Sequence, residues 1–228
     1  MQHVGVHVWS VDLDADRGTE ADVLSADELE RAERFHFDVH RNRFVACRQT
    51  LRHILSTWIG VPAGDLAFVY GANGKPALGG SGRPHFNVTH SEGWAMIAVC
   101  ADHPVGIDME WVRILDELPQ LTTLVFTDRE RQQIERMPDH DRLQAFFRGW
   151  SRKEAYFKAT GDGLSAQLHS VTVDVAAHDP GILDIGGGDI RAWSMHDLPA
   201  PAGFVGAAAI PCRTVEIVFH REPVSCAH

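Results

Sequence analysis

The stretch that most constrains this chain is Phe146–Leu164, FFRGWSRKEAYFKATGDGL. Leu143, Phe147 and Trp150 recur at helical spacing, which predicts an amphipathic helix. Gly161 and Gly163 supply its stop, because glycine adopts positive φ without steric cost. On the face that continues from Trp150 come Glu154 and, one turn on, Lys158. On an open surface such a pair is worth roughly 0.3 kcal/mol. Here the charges follow the core stripe itself, where burial is expensive, and that asks for a metal or a charged ligand.

With 228 residues, 44% of them hydrophobic, the chain is long enough for one large or two small cores. A formal net charge of −10 argues against bulk attraction to nucleic acid. The opening MQHVGVHVWS lacks a basic, signal-like start, and the longest apolar run, Ala95–Ala101, is far too short to span a bilayer. The four cysteines, Cys47, Cys100, Cys212 and Cys226, are scattered with no CxxC, which predicts free thiols in a reducing, cytoplasmic compartment.

Along the chain, VGVHVWSV at Val4–Val11 alternates as a strand does, with His3 and His7 as structural residues. The acidic run Asp12–Asp22 departs from a calcium loop in its glycine position and in Val23 at the closing place, so it is read as solvated. Ser25 before Glu28 is a capping-box pattern. A second helix, about Val39 to Trp58, buries Phe44, Cys47, Leu51, Ile54 and Leu55, carries Arg41, Arg43, Arg48 and Arg52, and ends at Gly60 and Pro62. After a short strand at Ala67–Tyr70, Lys75 stands between Gly74 and Pro76 in a glycine-rich loop, held stiffly where backbone can approach a ligand. Strands follow at His85–Val88, Trp94–Cys100 and Val105–Met109, with Asn87, Thr89, His90 and Ser91 assigned to the first turn. Thr127–Met137 is a charged helix capped by Thr127, and further strands are expected at Ser170–Val175, Ile190–Ser194, Phe204–Ile210 and Val215–Phe219, with AAHDPGILDIGGGD as a surface hairpin or loop.

Asp108 and Glu110, two apart in VGIDME, share one face if the segment is extended. Side by side they raise each other's pKa unless a cation lies between them, and oxygen ligands of this kind suit magnesium. Two solvated acids at a strand end are the alternative. The two halves run in parallel, each a long helix with several short strands. This predicts an α+β fold of two similar subdomains, each a helix on a small antiparallel sheet, related by a pseudo-two-fold axis and divided into residues 1–104 and 105–228, near Pro104.

In order, GKP at Gly74–Pro76, FNVTHS at Phe86–Ser91, VGIDME at Val105–Glu110 and FFRGWSRKEAYFKATGDGL at Phe146–Leu164 resemble the motifs of the 4′-phosphopantetheinyl transferase superfamily, in its monomeric, two-repeat Sfp-type branch. The resemblance implies transfer of the phosphopantetheine arm of coenzyme A to a serine of an apo acyl or peptidyl carrier protein, with release of adenosine 3′,5′-bisphosphate. It makes Asp108, Glu110 and Glu154 magnesium ligands and sets Lys158 on the pyrophosphate. His90, with Thr89 beside it, takes the 3′-phosphate, and Lys75 reaches the nucleotide phosphates. Lys153 matches the basic residue before the glutamate, and Arg43 the phosphate-binding arginine. Arg31 supplies a further cation, while Glu28 stands where related enzymes often carry another. The serine proton goes to Glu154 or, alternatively, to a metal-bound hydroxide. Arg142, Arg148, Arg152, Lys153 and Lys158, with the one acid Glu154 among them, form a local basic stretch suited to steering an acidic carrier, and apolar docking contacts are expected around Leu118–Phe126.

Overall fold

A computed structural model describes residues 4–15, 23–71, 73–80, 83–163, 168–176 and 180–220. His3, most of the acidic run, Leu164 and Cys226 lie outside the described residues. Two long helices, α2 (Asp38–Ile59) and α5 (Asp139–Thr160), each back a separate sheet. Both stop at a glycine in the left-handed region, Gly60 at φ 69° and Gly161 at φ 83°, whose N–H donates back to the carbonyl four residues earlier. Asp139 and Asp141 complement the positive end of α5 in its first turn.

The first sheet has the order β11-β1-β5-β4, from β1 (Val4–Asp12), β4 (His85–Ser91), β5 (Trp94–Cys100) and β11 (Val215–His220). The second has the order β6-β10-β9, from β6 (Gly106–Trp111), β9 (Ser194–Asp197) and β10 (Phe204–Ile210). In each half the antiparallel core runs first strand, third strand, second strand, which is the two-repeat α+β architecture. Between the sheets Val8, Met96, Ile107, Met109 and Ala208 interdigitate as a shared core. The last strand, β11, pairs in parallel with β1, so it completes the sheet of the first half.

Each half also carries a short helix with a reciprocal capping box. In α1 (Ala26–Glu33) Glu28 accepts from Ser25, and in α4 (Asp128–Glu135) Glu130 accepts from Thr127. Smaller pieces complete the chain: β2 (Phe68–Tyr70) with β3 (Pro76–Leu78), α3 (Leu118–Val125), and β7 (Thr172–Val173) with β8 (Ile182–Asp184).

Three local expectations are corrected. Thr89, His90 and Ser91 belong to β4, which runs on to Ser91, and the turn is Glu92–Gly93. Ile190–Ala192 is a 3-10 turn, with the Arg191 N–H capped by the Asp189 side chain, and the strand starts only at Ser194. Within the expected surface loop, Ile182 is buried and its segment pairs with Thr172–Val173.

Candidate active site

The site lies in the seam where β4 of the first half meets β6 and α5 of the second. Strand alternation puts Asn87, Thr89 and Ser91 on one face of β4, and this polar row replaces a backbone ladder to β6. Asn87 Oδ1 accepts from Ile107 N at 2.8 Å, Thr89 Oγ1 donates to Asp108 Oδ1 at 3.1 Å, and Ser91 Oγ accepts from Trp111 N at 3.1 Å. On the other side, Gly106 lets β6 approach the end of α5 backbone to backbone. A Cβ there would sit 2.0 Å from the Ala155 carbonyl oxygen and 2.3 Å from Ala159 N.

These approaches bring Asp108, Glu110 and Glu154 into one another's electrostatic field. Asp108 is 3% exposed and takes three donors: Thr89, Ser151 Oγ at 2.8 Å and Lys158 Nζ at 2.7 Å. Lys158 therefore pairs with the acid on β6 and not with Glu154, and its ammonium also donates to Thr89 Oγ1 at 3.2 Å. Trp150 anchors α5 through its indole N–H, which donates to Glu110 Oε1 at 3.3 Å. Burial, then the Asp108 charge, pushes the Glu110 carboxyl above its ordinary range. Glu154 is raised further, to about 7, by burial first and by Asp108 second, with Glu110 adding to the effect. Its Oε1 is buried with no hydrogen-bond partner.

An orphaned carboxylate oxygen in the field of two further acids is a site short of positive charge, and Lys158 pairs with Asp108. Hard oxygen donors of this kind fit a divalent cation such as Mg²⁺. Among the described residues no three such groups are already drawn together as a finished metal cage, so an ion would have to gather them. Beside the acids a cleft of about 320 Å³ opens, lined by Gly74, Lys75, Asn87, Glu154, Phe157 and Lys158.

The His90 ring titrates below its ordinary value because of desolvation first, then Lys158 and Arg31, which places those two charges in its field. Arg31 stacks over Phe44 at 5.2 Å. Lys75 is lowered to about 8 by burial and by Lys158, and its ammonium donates to backbone carbonyls of Val105, at 3.3 Å, and Lys158.

Other expected residues are placed elsewhere. Arg43 forms a bidentate pair with Asp14 on the surface, both contacts at 2.7 Å, so its charge is already met. Lys153 is fully buried on the opposite side of α5, paired with Glu130 at 2.8 Å and donating to the carbonyls of Leu168 and Val171. Arg152 is buried too, held by Asp197 and by the Asp174 and Ala176 carbonyls. The basic stretch expected on α5 is therefore no continuous surface patch, because two of its members are spent inside the second half. Glu28, expected at the nucleotide end, is buried instead, holding Arg48 and Arg52. Ser151, Asn87, Ser91 and the indole contact of Trp150 were not singled out as parts of the site. Trp150, Ser151 and Glu154 do share one helical face, a signal the spacing already contained.

The fold and the seam thus define a protein that concentrates carboxylates and cations around a cleft, as enzymes acting on phosphate esters do. Comparison with known proteins makes this definite. Residues 104–209 match the model of the 4′-phosphopantetheinyl transferase superfamily. The chain is 38% identical over 211 residues to 4′-phosphopantetheinyl transferase HetI of Nostoc sp., covering 90% of this chain and 87% of that protein. It is 34% identical to 4′-phosphopantetheinyl transferase psf-1 of Bacillus pumilus, over 65% of this chain and 63% of the relative. It is 26% identical to 4′-phosphopantetheinyl transferase Sfp of Bacillus subtilis, over 66% of each chain. The chain belongs to the 4′-phosphopantetheinyl transferase superfamily, in its Sfp-type branch, and is an enzyme of that class.

Proposed function

We propose that the enzyme transfers the 4′-phosphopantetheine moiety of coenzyme A to a serine of an apo acyl or peptidyl carrier protein, with Mg²⁺, releasing adenosine 3′,5′-bisphosphate. The observation that carries the reading is the acid trio across the seam, with the Glu154 Oε1 orphaned and Lys158 beside it. Asp108, Glu110 and Glu154 would hold the ion, which supplies Lewis-acid polarisation of the pyrophosphate when bound.

The rest of the chemistry falls to the chain's own side chains. Lys158 and Arg31 line up charge for the pyrophosphate and the nucleotide end of coenzyme A, His90 offers a ring hydrogen bond there, and Thr89 orients Lys158 through its hydroxyl. The carrier serine attacks the phosphorus that bears the pantetheine arm, and the bond to the bisphosphate breaks. Such transfer asks mainly for alignment and charge stabilisation, and here the charge is set in a partly buried cleft where it acts strongly. Glu154, whose Oε1 is buried without a hydrogen-bond partner, takes the serine proton. Lys158 stabilises the leaving bisphosphate. A monomer in the cytoplasm meets these needs, since both halves of the site come from one chain.

The test is a panel of apo-carriers incubated with coenzyme A and Mg²⁺ and read by intact mass. The expected result is a gain of one phosphopantetheine on the carrier serine. Hydrolysis of coenzyme A without any mass gain on a carrier would overturn the reading in favour of a phosphohydrolase.

A further inference from the structure

Lys75 sits in a loop of the first half, yet both of its hydrogen bonds go to backbone of the second: the carbonyl of Val105, which enters β6, and that of Lys158, in the last turn of α5. A helix leaves its final carbonyls without internal partners, and its negative end favours a cation. The same loop places Asn73 Nδ2 against the Gly161 carbonyl at 2.8 Å, one step past the helix. Two side chains from residues 73–75 therefore cap α5 from across the seam. One of them, Lys75, also reaches the strand that carries Asp108 and Glu110. Val105 is fully buried, and the strand and helix joined here are those that Gly106 brings into backbone contact.

We infer that the Lys75 ammonium is a positioning clamp: by holding the carbonyls of Val105 and Lys158 together, it sets the spacing between the acids on β6 and Glu154 with Lys158 on α5. The inference rests on the transferase reading for its consequence and on the two hydrogen bonds for its geometry. Two of the three ammonium donors are spent on protein carbonyls. Burial and the neighbouring Lys158 depress its pKa to about 8. Loosening the clamp should widen the gap an ion must bridge while leaving the remaining cations of the cleft in place.

Lys75→Met and Lys75→Arg separate this role from a direct phosphate contact. Arginine keeps the charge, but its planar fork does not reproduce a point donor shared between two carbonyls. Three quantities are measured: Mn²⁺ affinity of the ligand-free protein by electron paramagnetic resonance, deuterium uptake of residues 104–110 and 155–161, and the KM for coenzyme A. Both variants should bind Mn²⁺ about tenfold more weakly and exchange faster in both segments, with the KM for coenzyme A within about twofold of wild type. Wild-type Mn²⁺ affinity and exchange in Lys75→Arg, with a tenfold rise in the coenzyme A KM of Lys75→Met, would overturn the inference. If Lys75→Met does not fold, Lys75→Arg alone carries the exchange and Mn²⁺ measurements. Failure of the transferase reading shows differently, as a wild-type protein that modifies no carrier while exchange in the two segments still responds to the substitutions.

Discussion

The two halves share a plan and diverge in chemistry. Val105-Gly106-Ile107 opens β6 as Val4-Gly5-Val6 opens β1, so Asp108 and Glu110 take the places that His7 and Trp9 hold in the first half. Measured back from the glycines that end α2 and α5, Glu154 corresponds to His53, Lys158 to Thr57 and Lys153 to Arg52. Arg52 and Lys153 do the same work, each meeting the buried carboxylate of a capping box, Glu28 or Glu130. The framework ion pair is thus kept in both halves, while the acid trio exists in one. In the first half His7 stacks with Trp9 and His220 and meets Trp58 edge-on, an aromatic cluster where the second half sets Asp108 and Glu110. The lesson is that two similar frames can differ in chemistry while the buried charges of each stay paired.

Substitutions at corresponding positions put this contrast to the test. The largest separation is expected in turnover. Asp108→Ala or Glu154→Ala should lower kcat/KM at least about 1000-fold, or about 4 kcal/mol of transition-state stabilisation, whereas His53→Gln should stay within about threefold. Equal losses in both halves would show that the chemistry is not confined to the second.

Next come the paired glycines. Gly106→Ala forces a methyl into the Ala155 carbonyl and should cost about 3 kcal/mol in urea unfolding. Gly5→Ala meets only His7 Nε2 at 3.7 Å and should cost less than about 0.5 kcal/mol. A comparable effect is expected where the halves agree. Glu28→Ala and Glu130→Ala each strand buried cations, and each should destabilise by about 3 kcal/mol on chemical denaturation. A tolerated loss in either half would break the parallel.

The smallest effect is pH-dependent. The folded Glu154 pKa of about 7 lies above its ordinary 4.5, so the folded state binds the proton more tightly. Its contribution is fully present below pH 4.5 and is lost as the pH rises through 7. Glu154→Gln should therefore stabilise the metal-free protein at pH 8 by about 2 kcal/mol and change little at pH 5. Thermal unfolding at the two pH values reads the difference.

What the sequence disclosed of the site follows from the same contrast. Asp108, Glu110, Glu154 and Lys158 were legible because their types and spacing are local and chemically unusual on a core stripe. Lys153 was misplaced because adjacent residues on a helix point about 100° apart, and only the distant Glu130 decides which basic neighbour is buried. Arg43 reads as a ligand contact in the sequence because its partner, Asp14, is remote along the chain. The polar run Asn87–Ser91 carried turn-like residue types, and these masked the strand alternation that lays one face on β6. Helix α3 went unassigned, since its N-cap, Glu117, makes no side-chain cap bond, although Pro119 marks its start. The repeat was visible as rhythm, but the pairing of β11 with β1 was not, because strand partners are chosen by the whole core.

That pairing has a consequence for how the molecule comes to exist. His7 and His220 meet across an interval of 213 residues, and the strands that carry them run parallel. During synthesis, β1 must wait with one edge unsatisfied until the second half has been made and β11 has left the ribosome. Contacts of such long range form late, and an open strand edge is where neighbouring nascent chains join wrongly. The first half is thus translated first and finished last, which makes the interval between those two moments the enzyme's period of greatest exposure to aggregation and to chaperones.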